Sequence, residues 1–267
     1  MYLLKISLAA TLHNQNDEML PIVEKTIRKQ KKLFSSINIT ATANTHKKLI
    51  NYLVHHINLK TTPNRPRGSS ANRKLALKMA VKVRPQARAF FHIDYDRFLH
   101  WLSAYPQELE NFLRNLPTNY DFLSIGRTKR AFLTHPKIQI EAERWTNKKL
   151  KKILNVDIDT TTGCYLISKK LAGIISKRGG QDNLLSVTDG EWPALAFINN
   201  LSLGRVDVEG LEFETPDFHR KDIKKAGSKQ KWIKKVYESA KMKKFRWKIA
   251  KETVKAAREI ISRGLEQ

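Results

Sequence analysis

The stretch FFHIDYDRFLHW, residues 90–101, sets two aspartates two positions apart at the end of a short apolar run, with Arg97 directly behind them. On both sides of it, runs of β-forming residues alternate with helical patterns, as expected of strands joined by crossover helices. Strands are expected over residues 3–11, 37–43, 57–61, 88–94 and 121–125. Met19, Ile22, Val23, Ile27 and, further on, Phe34 recur at roughly helical spacing, and Pro21 suits a first turn, where its missing N–H is not needed. Leu49, Ile50, Leu53 and Val54 mark a second helix, and Leu75, Leu77, Met79 and Ala80 a third. Further on, the pattern predicts helices over 138–154, 169–177 and 191–200, a strand over 163–168 and a hairpin over 204–213. The expected class is α/β.

In an alternating α/β sheet, ligands bind outside the carboxyl ends of the strands, which is where Asp94 and Asp96 fall. Two carboxylates facing one crevice repel unless a cation neutralises them. Mg2+ or Mn2+ prefers such hard oxygen ligands together with substrate phosphates. The same residues also fit a strand end with an Asx-turn and a helix cap, since Asp commonly opens helices and FLHWL reads as helical. The loop TTPNRPRGSS, residues 61–70, carries Arg65, Arg67 and Gly68 just before a helix. It suits either an anion held by backbone N–H groups or a solvated charged loop.

The chain has 267 residues, 41% of them hydrophobic, enough for a large core. No run of about 18 apolar residues is present to span a membrane, so a soluble protein is expected. Its one cysteine, Cys164, leaves no internal disulfide and no CxxC pair, which fits a reducing cytoplasm. His13, His46, His55, His56 and His92 lack an HExxH frame, and Ser124 lacks a GxSxG elbow, so zinc hydrolase and serine hydrolase chemistry are not indicated.

A net charge of +25 exceeds what solubility needs and points to an anionic partner. Residues 220–267 hold 13 Lys and 4 Arg against 5 acidic residues, a net +12. Ile233, Val236, Tyr237 and Ala240, then Trp247, Ala250, Val254, Ala257 and Ile261, give this tail an apolar stripe at helical spacing. The chain thus divides into residues 1–219 and a basic helical extension, 220–267. The extension has three readings: a helix packed on the main domain, a dock for an anionic membrane surface or lipid-linked acceptor, and a nucleic-acid binder. No zinc-finger, RRM or helix-turn-helix signature supports the third.

The order of a first β-α unit, a strand ending in HIDYD, SIGRTKR at 124–130, DIDTTTGCYLISKKLAGII at 157–175 and TDGEW at 188–192 resembles the GT-A glycosyltransferases. The segment TTGCYLISKKLAGII is similar to that of the dolichyl-phosphate mannose synthase and mannosylglycerate synthase type. The resemblance spans residues 1–220 and implies a GT-A-like mixed, mostly parallel sheet flanked by helices, with the C-terminal helical extension beyond it. It implies a nucleotide-sugar donor, an acceptor the sequence does not specify, and Mn2+ or Mg2+. By the resemblance, Asp94 lies by the nucleotide ribose or the metal, Thr11, Arg67 and Asn72 lie around the donor, and Asp96 and His219 hold the metal. Arg127 is expected near donor phosphates or the acceptor, since a guanidinium pairs with phosphate oxygens in a fork. Asp189 or Glu191 is then the catalytic carboxylate, a general base in an inverting enzyme and an orienting group in a retaining one. The rival expectation is a noncatalytic α/β protein that binds nucleic acid or another polyanion.

Overall fold

The computed structural model describes residues 5–62, 69–117, 119–178 and 188–265. The elements in chain order are β1 (Ile6–Leu12), α1 (Leu20–Leu33), β2 (Ser36–Thr42), α2 (Lys47–Val54), β3 (Asn58–Thr62), α3 (Ser69–Val83), β4 (Ala89–Asp94), α4 (Tyr95–Ala104) and α5 (Pro106–Arg114). They continue as β5 (Phe122–Arg127), α6 (Lys129–Leu133), α7 (Lys137–Leu154), β6 (Tyr165–Ser168), α8 (Lys169–Lys177), α9 (Thr188–Ile198) and β7 (Leu203–Val208). Three helices close the chain: α10 (Arg220–Ala226), α11 (Lys229–Tyr237) and α12 (Ala240–Leu265).

The seven strands form one sheet in the order β3-β2-β1-β4-β6-β5-β7. All pairings are parallel except those of β6, which runs antiparallel to both β4 and β5. The expected mixed, mostly parallel sheet flanked by helices is what the chain builds. Side-chain alternation decides which layer each residue joins. Leu8, Ala10 and Leu12 of β1 pack into one apolar cluster with Phe91 and Ile93 of β4. Ala9 and Phe90 turn to the other face and meet Leu77, Tyr165 and Trp192. Because helices cover both faces, the central strands are buried on both sides and read as continuous apolar runs.

Two expectations change. The predicted hairpin over 204–213 is a single strand, β7, paired parallel with β5. The chain after it turns instead of returning, because the N–H groups of Glu209 and Gly210 donate to the Glu108 carboxylate at 2.8 and 2.9 Å. Helix α5 was not foreseen, although Pro106 stands in its first turn and Leu109 and Leu113 bury its inner face.

The basic extension packs on the rest of the protein through α12, which lies against α7 and α9. Ala250, Val254, Ala257 and Ile260 bury its apolar stripe, and Trp247 meets Trp145 edge to face. Gly190 permits this contact: a Cβ there would collide with the backbone carbonyl of Thr253 on α12. Gly190→Ala adds helix propensity worth about 1 kcal/mol but forces overpacking that costs about 1–3 kcal/mol against a backbone atom. The clash should win, and the melting temperature should fall, as a thermal melt would read.

Candidate active site

The carboxyl ends of β1 and β4 lie side by side, with Thr11 in register with Asp94. Asp94 stands at the N-cap of α4, yet its side chain makes no capping bond. Its carboxylate instead accepts from Thr11 Oγ1 at 2.6 Å and from Arg73 Nη2 at 2.7 Å. Burial pushes the Asp94 carboxyl up, but the Arg73 guanidinium outweighs it and holds the group down at about 2. Arg73 also reaches Asp189 at 2.6 Å and so bridges the end of β4 to the start of α9. Tyr165 adds a hydroxyl bond to the same Asp189 oxygen at 2.6 Å. Room for this bridge comes from Gly163, whose left-handed φ of 64° and missing Cβ leave space for the Arg73 guanidinium. A Cβ there would lie 2.6 Å from Arg73 Nη2.

Asp96 sits in the first turn of α4, where Oδ1 accepts from the Arg97 backbone N–H at 2.8 Å. Its carboxyl is pushed up to about 7, first by burial and then by the nearby charges of Glu214 and Asp94. Arg97 pairs with Glu214 at 3.2 Å and donates to the Thr162 carbonyl. Glu214 Oε2 is buried without a hydrogen-bond partner among the described residues.

These groups line one cavity of about 370 Å3, within the range of small-ligand sites. Asp94, Asp96, Asp189, Glu214 and His219 all contribute to its wall. His219 Nδ1 lies 3.1 Å from Asp222 and its ring packs against Trp232. With Nδ1–H given to Asp222, Nε2 carries the lone pair that a ligand needs. The far wall comes from the basic extension: Tyr237 of α11 and Arg246, Ile249 and Thr253 of α12.

Several of the residues expected at this site do not line its cavity, and one lies outside the described residues. Arg127 is fully buried, its planar fork is filled by Asp159 at 3.0 Å and Glu143 at 2.7 Å, and it does not line the cavity. Glu191 pairs with Lys74 at 2.7 Å on the opposite side of α9 from Asp189's cavity and does not line that cavity. Asn72 is buried in α3, where its carbonyl accepts from Thr40 at 2.9 Å, and it is not part of the cavity wall. Arg67 lies outside the described residues. Thr11 acts on Asp94 and is likewise not among the wall residues. Cys164 is buried, and burial pushes its thiol up, which leaves it inert.

Among the described residues, no group of three or more His, Cys, Asp and Glu side chains converges to hold an ion by protein ligands alone. Mg2+ and Mn2+ do not require one, since they keep several waters and use one or two carboxylates plus substrate phosphates. The raised Asp96 carboxyl and the unpartnered Glu214 Oε2 mark an excess of negative charge that suits such a cation.

No protein-family model matches the chain, and no curated protein matches it. Among solved structures it is similar to glucosyl-3-phosphoglycerate synthase from Mycobacterium tuberculosis in complex with uridine diphosphate. That match has 14% identity over 76% of this chain and 70% of that one, with a TM-score of 0.44. The same enzyme with Mn2+, UDP-glucose and phosphoglyceric acid gives 14% identity, 76% and 69% coverage and a TM-score of 0.41. A second protein of M. tuberculosis H37Rv gives 12% identity, 82% and 96% coverage and a TM-score of 0.45.

Proposed function

We propose that the protein is a glycosyltransferase of the GT-A type, which transfers a sugar from a nucleoside diphosphate donor to an acceptor with the help of Mn2+ or Mg2+. The observation that carries this reading is the convergence of Asp94, Asp96, Asp189 and His219 on one cavity at the carboxyl ends of the parallel strands. A divalent ion there supplies charge to offset the diphosphate as it departs. Asp96 and Glu214 are the carboxylates placed to hold it, with His219 Nε2 on the same wall. Asp94, fixed by Thr11 and Arg73, keeps its negative charge and faces the donor. Asp189, rather than Glu191, is the carboxylate that meets the acceptor. It acts as general base if the reaction inverts the sugar and as an orienting group if it retains.

Melting curves with a panel of UDP- and GDP-sugars in the presence of Mn2+ test this reading. A donor at about 100 times its Kd stabilises a protein by about 2.7 kcal/mol, or roughly 5–10 °C at this size. A shift with at least one nucleotide-sugar, lost when Mn2+ is chelated, is expected. No shift with any of them, alongside tight salt-sensitive binding of random RNA, would favour the noncatalytic polyanion-binding reading. Once a donor is found, Asp189→Asn should lower kcat by about 100-fold or more. Glu191→Gln should lower the melting temperature while turnover persists, because it breaks the buried pair with Lys74 and the longer one with Arg178, neither of which reaches the cavity wall.

A further inference from the structure

All 13 lysines of the basic extension are exposed. Three of them have an acidic partner: Lys221 with Asp17, Lys248 with Glu252 and Lys255 with Glu259. The other ten, from Lys224 to Lys251, have no ion-pair partner among the described residues. Two large apolar side chains stand exposed in the same segment, Phe245 at 39% and Val236 at 37%. On α12 Phe245 is flanked by Lys241, Lys244 and Lys248, four and one residues before it and three after, so one helix face presents an apolar tip ringed by ammonium groups. The opposite face of this helix is the buried stripe against α7 and α9, and Arg246, Ile249 and Thr253 wall the candidate site.

We infer that this face of the extension docks on an anionic lipid bilayer, with Phe245 entering the headgroup layer and the lysines lying along it. Charge alone would also attract nucleic acid, but the apolar tip separates the two. A bilayer rewards burial of Phe245, whereas a phosphate backbone does not. A single-strand binder needs a series of aromatic platforms for its bases. The tryptophans of the extension are engaged within the protein. Trp232 is buried against His219 and Tyr237, and Trp247 packs on Trp145. Docking through α12 would bring the cavity that this helix walls to the membrane surface, which suits an acceptor carried on a lipid. This last point rests on the glycosyltransferase reading; the docking itself does not.

Co-sedimentation of the full chain with vesicles tests the docking without any sugar transfer, so its failure and that of the transferase reading remain distinguishable. Vesicles of phosphatidylcholine with 30 mol% phosphatidylglycerol (roughly the range where surface charge dominates) should bind the protein, and pure phosphatidylcholine should not. Binding should weaken as salt shortens the screening length. Each lysine near an anionic surface strengthens binding by about fivefold, so the triple variant Lys241→Ala, Lys244→Ala, Lys248→Ala should lose on the order of a hundredfold. All three side chains are exposed, and an unchanged melting temperature would confirm that the variant is folded. Phe245→Ser should weaken vesicle binding several-fold and leave binding of single-stranded RNA unchanged. Equal partition onto neutral vesicles, no partition onto anionic ones, or a Phe245→Ser variant that binds them as well as the parent would each overturn the proposal.

Discussion

Replacing Asp96 with asparagine is expected to abolish the Mn2+-dependent rise in melting temperature with a nucleoside diphosphate while the chain remains folded. The carboxylate is held in the first turn of α4 by one backbone N–H, and asparagine keeps the oxygen that accepts that bond. What it removes is a negative charge whose neighbours, Glu214 and Asp94, are themselves acidic. In the cation-free protein that charge is a burden. Because burial and the acidic neighbours push the folded carboxyl up to about 7, while in the unfolded chain it has the ordinary value of 3.8, stability associated with Asp96 is fully present below about 4 and lost as pH rises through about 7. The Asn variant should therefore be the more stable form at pH 8, by roughly 1–3 kcal/mol once water in the cavity is allowed for. The two forms should converge near pH 4. With a cation the order reverses, since the ion needs the charge that asparagine lacks. A variant that is unfolded, or that keeps its Mn2+-dependent shift, would refute the assignment of Asp96.

The opening motif shows how far the sequence could carry this reading. The apolar, β-rich run FFHID predicted a strand, and the pleat of that strand sends Phe90 and Phe91 to opposite sides of the sheet. Its placement at the carboxyl end of a strand followed from the succession of strands and helices. The two aspartates then divide the expectations between them. Asp94 ends the strand at the N-cap position but does not cap, because Thr11 and Arg73 take its oxygens. Asp96 binds the first turn of the helix and still faces the cavity.

The partners of these residues were not legible, since they come from far along the chain. Arg73 is 116 residues from Asp189 and Arg97 is 117 from Glu214. Nothing in a local pattern tells a buried arginine that bridges carboxylates from one on a solvated helix. Arg127 is the converse: a GR element in a strand end suggested a phosphate fork, and the fold fills the fork with Asp159 and Glu143. The extension shows a similar limit. Its three- and four-residue steps revealed an apolar stripe, but not that the stripe would lie on α9 at Gly190 and bring Arg246 and Thr253 to the cavity.

Arg73→Ala should be the most damaging single change at the site. Arg73 is almost wholly buried and pairs at once with Asp94 and Asp189, so its loss leaves two uncompensated carboxylates in a confined space. Breaking a buried pair in this way costs about 3–5 kcal/mol, which for a chain of this size lowers the melting temperature by about 10 °C. The penalty should depend on pH, with a sign that follows from the charges. In the native protein, Asp94 titrates at about 2, below its unfolded value, so it contributes stability above about 4 that is lost as pH falls through 2. Without the guanidinium, burial and the neighbouring acids remain and push the Asp94 carboxyl upward instead. The variant should then gain more stability on acidification from pH 7 to pH 4 than the native chain gains through Asp96 alone. Arg73→Lys restores one charge but not the fork that reaches both carboxylates, and should recover only part of the loss. Thermal melts of the three forms at pH 4 and pH 7 measure this. Equal destabilisation of Arg73→Ala at both values would show that packing, not charge, is what Arg73 provides.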